Sequence, residues 1–182
     1  MRKIIAIVLA VVMIAAMSIP AFAAKTLDEK NPTANDVKVT YSTSESFVVT
    51  IPEKIELSVN AETGVGTSND NIVSLDSLKI SAGKKITVTV AGGADNLVAG
   101  HNYRLWDNTN KAAIGYTINL GDTTDATGTA VAQNGTLIEK ESAKTFTQIV
   151  KYLDFVTEAT TQAGDFEDTL TFTATVGAVT NA

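Results

Sequence analysis

The chain is written in twos. Val37, Val39 and Tyr41 alternate with Lys38, Thr40 and Ser42, and Phe47, Val49 and Ile51 repeat the pattern until Pro52 interrupts it. Such alternation puts successive side chains on opposite faces of an extended strand. Comparable runs recur along the chain as "KIELSV", "VSLDSLKI", "KITVTVA", "NYRLW", "IGYTINL" and "DTLTFTATV". Between them stand clusters of Gly, Asn, Asp and Thr, the residues that tight turns favour. "AETGVGTSNDN" reads as a loop, and Asn134 with Gly135 reads as a hairpin turn inside the polar excursion "GDTTDATGTAVAQNGTLIE". "KTFTQIVKYL" fits either a strand or a short helix; its β-branched residues and the lack of a helix cap favour the strand. Strands at this spacing predict an all-β fold, an immunoglobulin-like antiparallel sandwich of about eight to ten strands. The threonines opposite the apolar positions leave each sheet one wet face, and long edges of this kind stay open to pairing with another chain.

The first residues stand apart from that pattern. Arg2 and Lys3 precede an apolar run over residues 4–17, then Pro20 and the small-residue sequence Ala21, Phe22, Ala23. This is the grammar of an export signal cleaved after Ala23, and the apolar run is shorter than a bilayer span requires. Residues 1–23 are therefore expected to be a signal peptide and 24–36, polar and containing Pro32, a flexible arm. Residues 37–178 form the sandwich and 179–182 a short tail. The expected location is outside the cell, secreted or held non-covalently at the wall, with no membrane association after cleavage.

Composition narrows the chemistry. The 159 residues after Ala23 carry 12 basic and 20 acidic side chains, a formal charge of −8, which disfavours nucleic acid. Cysteine is absent and His101 is the sole histidine, so neither a cysteine nucleophile nor a clustered zinc site can be assembled. His101, beside Gly100, reads as a turn residue. Asp70, Asp107, Asp122 and Asp125 are loop oxygens without calcium-loop spacing. Glu139 with Glu141, and Asp165, Glu167 and Asp168, read as rim and strand-start carboxylates rather than as an acid and base pair. The last strand offers no Asn for an isopeptide crosslink. No catalytic residue, metal or cofactor is expected.

One stretch carries a binding hypothesis. Regular alternation in "NYRLW" sets Tyr103 and Leu105 on one face and Arg104 and Trp106 on the other. If Leu105 is buried, Trp106 becomes a platform for a sugar ring, with Tyr103, Asp107, Asn108 and Asn110 as its neighbours. The reading favoured on residue statistics is that a bulge or strand end turns Trp106 inward.

The runs "YSTSESFVVTIPEKIEL", "LKISAGKKITVTV" and "QAGDFEDTLTFTATV" resemble the secreted β-sandwich surface proteins of Firmicutes, including those described as WxL-like. Phe166 stands where the closing motif of such proteins carries an aromatic residue. The Trp-x-Leu motifs themselves are missing, since Trp106 is followed by Asp107 and Asn108. The expected function is a non-enzymatic surface or matrix protein with structural or adhesive work, acting through strand edges. Its expected partners are other cell-surface proteins or copies of itself. A carbohydrate- or peptidoglycan-binding module using Trp106 is the alternative, with cell-wall polysaccharide as its partner.

Overall fold

The alternating runs find their partners in a computed structural model that describes residues 41–93, 98–123 and 128–180. The expected signal peptide and arm lie outside the described residues, as does Asp125. Residues 41–44 carry no regular structure. In chain order the strands are β1 (Ser46–Thr50), β2 (Ser58–Val59), β3 (Gly66–Lys79), β4 (Lys84–Gly92) and β5 (Tyr103–Asp107). They continue with β6 (Ala112–Gly121), β7 (Thr129–Ala130), β8 (Gly135–Glu141), β9 (Ile149–Thr157) and β10 (Leu170–Ala178). All strand pairings are antiparallel.

One sheet runs β1-β3-β9-β6-β5, with β2 also beside β3 and β7 beside β6, and the smaller sheet runs β10-β4-β8. The chain changes sheet five times along this order, which makes the sandwich immunoglobulin-like rather than a meander. Val73, Leu75, Tyr116, Ile118, Leu153 and Phe155 from the large sheet share one core with Ile86, Val88, Val90, Leu137 and Ile138 from the small one. Each such burial contributes about 1.5–3 kcal/mol before entropy is counted. With three of these residues and a partner on either side, β4 anchors the small sheet.

β4 also spans the width of the larger sheet. Its first residue, Lys84, bonds Glu45 beside β1 at 3.0 Å. Its last, Gly92, lies so near β5 that an added Cβ would stand 3.0 Å from the Tyr103 ring.

The structure corrects the sequence reading at several elements. β3 begins at Gly66, inside the expected loop, because ladder pairing uses backbone groups and β2 and β9 supply them on either side of "GTSND". Asp70, at φ 60°, sits in the register shift that lets this polar stretch stay paired. Of "KIELSV" only Ser58 and Val59 pair, while Ile55 and Leu57 pack against the core without a ladder. Asn134 does adopt a positive φ of 58°, but it joins β7 to β8 in different sheets, so the turn is not a hairpin. Within "KTFTQIVKYL" the strand starts at Ile149, and Phe146 reaches the core from outside it.

Asp76 is the extra residue of a bulge opposite Val48 and Val49. Its carboxylate accepts from Thr50 Oγ1, from Gln148 Nε2 at 2.6 Å and from Ser74 Oγ at 2.8 Å. Those bonds, Thr50's first, hold it below the usual carboxylate range.

Candidate functional site

β5 pairs with β6 in unbroken register, so its alternation is strict. Tyr103 and Asp107 are 0% and 1% exposed, and Leu105 packs against the core. Arg104 and Trp106 therefore point outward, and the inward tryptophan favoured from residue statistics is overturned. No bulge is present in the ladder to turn the ring, and Leu105 already fills the inner position.

Tyr103 leaves the predicted site for the same reason. Its hydroxyl donates to the Ala132 carbonyl at 2.9 Å and its ring stacks on Tyr116 at 5.3 Å between centroids. Burial first, and the Asp168 charge second, push its phenol up to about 12. Asp107 is likewise consumed. It accepts from Thr109 N at 2.7 Å, Asn110 N at 3.1 Å and Asn110 Nδ2 at 2.7 Å, closing the turn into β6. The Asn110 backbone bond leads the contributions that hold this carboxyl below its ordinary value. Tyr103, Asp107 and Asn110 thus build the scaffold, whereas Trp106 and Asn108 line an open depression.

Those two are held by their neighbours. Trp106 Nε1 donates to Asn108 Oδ1 at 3.0 Å, and the Arg104 guanidinium carbon lies 4.8 Å from the indole centroid. The backbone of Trp106 is covered as well: its N–H donates to Glu167 O at 2.9 Å and its carbonyl accepts from Glu167 N at 3.2 Å. Immediately afterwards the chain enters the other sheet as β10. Asp168, at that crossing, accepts from Tyr116 Oη at 2.7 Å, Gly93 N at 3.1 Å and Thr169 N at 2.8 Å. Arg104, Trp106, Asn108, Glu167, Asp168 and Thr169 line an open depression of about 300 Å³. Period-two spacing already ties Arg104 to Trp106, but Glu167, Asp168 and Thr169 arrive through tertiary pairing that no local pattern announces.

The remaining sequence candidates stay apart. The His101 ring lies over Gly115, where an added Cβ would stand 2.6 Å away, and its Nδ1 is buried without a partner among the described residues. Asp122 pairs with Lys151 and Glu139 with Lys85, while Asp70 N donates to Asp154 at 3.1 Å. Among the described residues no group of three or more His, Asp or Glu is placed to hold a metal ion. Among them, too, no helix is long and apolar enough to cross a membrane.

The four sheet edges differ in a way that bears on partners. β5 is covered by the Glu167 backbone, and β8 carries Glu139, Lys140 and Glu141. Either device discourages pairing with another chain. β1, "SFVVT", and β10, "LTFTATVGA", carry no charge at all. On β1, Phe47 is 39% and Val48 53% exposed, and Ile51 just beyond is also exposed. Among the described residues nothing pairs with the outer side of either strand.

No family model matches this chain, and no curated protein matches it. Solved structures with a similar backbone include a chain from the chaperone–tip adhesin complex of CFA/I fimbriae biogenesis, at 15% identity and a TM-score of 0.44. That match covers 71% of this chain and 42% of the other, so the chain spans less than half the length of that neighbour. The P pilus rod subunit PapA is similar at 16% identity and a TM-score of 0.40, over 71% of this chain and 99% of PapA. Both are distant likenesses of fold.

Proposed function

We propose that this is a non-enzymatic, exported surface or extracellular-matrix protein that works by pairing open sheet edges with partners at the cell surface, copies of itself included. The observation that carries the reading is β1. It is an uncharged edge strand whose Phe47 and Val48 remain exposed, while β5 and β8 are protected by backbone and by charge. An edge left in that state offers main-chain hydrogen bonds for affinity and side-chain pockets for selection, the two requirements of strand addition. The resemblance to secreted surface sandwiches agrees with this reading, and residues 24–36 are the segment that would reach a neighbour. The test is sedimentation of the chain from residue 24 onward beside Val48→Lys and a version lacking residues 24–36. Association that is lost in Val48→Lys with an unchanged melting temperature supports the edge. Identical association in all three dismisses both the edge and the arm.

A second reading is favoured by one observation, the outward Trp106 at the depression with Asn108 fixed on its indole N–H. In this reading the same surface protein holds cell-wall carbohydrate by stacking a sugar ring on Trp106. Retention on insoluble polysaccharide or peptidoglycan that is unchanged by Trp106→Ala counts against it.

A further inference from the structure

The guanidinium beside Trp106 narrows what the depression can take. Arg104 is the only arginine after the leader, and none of the ion pairs between described residues includes it. Its Nε is buried without a hydrogen-bond partner among the described residues. A buried N–H left without an acceptor is a costly arrangement, and two carboxylates that line the same depression do not relieve it. Asp168 turns its oxygens to Tyr116, Gly93 and Thr169, and Glu167 is fixed by its backbone while its side chain makes no ion pair among the described residues.

Resting on the saccharide reading and sharpening it, we infer that this depression binds a uronate-type sugar, whose carboxylate is taken by Arg104 beside the Trp106 ring. A guanidinium at 4.8 Å from the indole centroid rests against the ring and presents a planar fork of donors beside it. What matches that fork is a carboxylate received through two parallel hydrogen bonds. The surrounding groups suit sugar hydroxyls. Asn108 has its Oδ1 committed to the indole, leaving Nδ2 to donate, and Thr169 and Glu167 add a hydroxyl and an acceptor. A volume of about 300 Å³ lies at the lower end of ligand sites, enough for one ring, and its openness admits a residue within a chain rather than only a terminus. The protein's own charge makes the reading sharp. With a formal −8 after Ala23 it has no general attraction for a polyanion, so retention of one reports a local site.

The experiment is affinity electrophoresis of the chain from residue 24 onward in gels containing polygalacturonate or hyaluronate, each beside its carboxyl methyl ester. The expected result is retardation by at least one acid polymer, weaker by about ten-fold or more in its ester and in Arg104→Gln, with partial recovery in Arg104→Lys. Trp106→Ala abolishes retardation by acid and ester alike. Circular dichroism melts of Arg104→Gln that match the parent assign its effect to binding. Equal retardation by acid and ester, or an Arg104→Gln protein that binds like the parent, overturns the carboxylate and leaves the saccharide reading standing. Retardation by none of the four polymers overturns both.

Discussion

The Tyr116 hydroxyl reaches the root of the last strand, donating to Asp168 Oδ2 over 2.7 Å from a ring that is 2% exposed. It joins the core of the large sheet to the residue at which the chain crosses to the small one. Tyr116→Phe removes this bond but leaves Asp168 with the Gly93 and Thr169 amides. The expected loss is about 1–2 kcal/mol in urea unfolding, with faster amide exchange near Leu170. Unchanged stability and exchange would show that the bond contributes nothing net.

Two buried phenols set the alkaline limit. Burial, and then the bond and charge of Asp168, raise Tyr116, while Tyr103 is pushed up to about 12 from an ordinary 10.0. Below pH 10.0 both states hold these protons, so the stabilisation is fully present. Above it the unfolded chain loses them first, and stability falls by about 1.4 kcal/mol per pH unit for each phenol until the folded value is reached. Urea midpoints that stay level between about pH 10 and 12 would refute this.

On the acid side the sign reverses. Asp107 and Asp76 are held below 3.8, and Glu45 is held down to about 2 chiefly by Ser81 and then by Lys84. Their contribution is present above the unfolded values and is lost as pH falls from about 4.5 towards 2. The expected profile is flat between about pH 5 and 9 and declines at both ends. Asp107→Asn should make the acid limb shallower, read from the same midpoints.

Two glycines with nearly equal φ separate strain from crowding. Gly64 has φ 69° and Gly83 φ 75°. A Cβ at Gly83 meets nothing within 4 Å, whereas one at Gly64 collides with the Thr160 carbonyl. Gly83→Ala should cost about 1–2 kcal/mol, the penalty of a left-handed residue alone. Gly64→Ala should cost clearly more, because it also displaces the Thr160 N–H bond to Gly64 O of 3.1 Å. Equal melting temperatures for the two variants would be the contrary result.

What could be read from the chain follows from where the information lies. The face of Ile86, Val88 and Val90 is spelled out by local alternation, and so is the outward-facing pair Arg104 and Trp106. Burial statistics mislead at Trp106 because an indole prefers the interior, yet the β5 ladder is unbroken and Leu105 occupies the inner site. Tyr103 reads as a neighbour of the Trp106 platform only until its hydroxyl is given the Ala132 carbonyl as a buried partner. Gly66 hides as a strand start because its pairing depends on β2 and on the Thr157 hydroxyl, far along the chain. Glu167 is invisible for the same reason. Its role is a pair of backbone bonds to Trp106, and backbone bonds leave no mark on side-chain choice.

The passage of the chain from Trp106's side into β10 has a mechanical consequence. Tension on the carboxyl terminus would reach Ala178 first, and antiparallel register with β4 lets those bonds open one after another towards Leu170. At Glu167 the load meets a different geometry, since its grip lies on the other layer and Asp168 beside it is fastened to an interior phenol. Load applied from that end would therefore meet the β10–β4 bonds before it meets the anchors at Glu167 and Asp168.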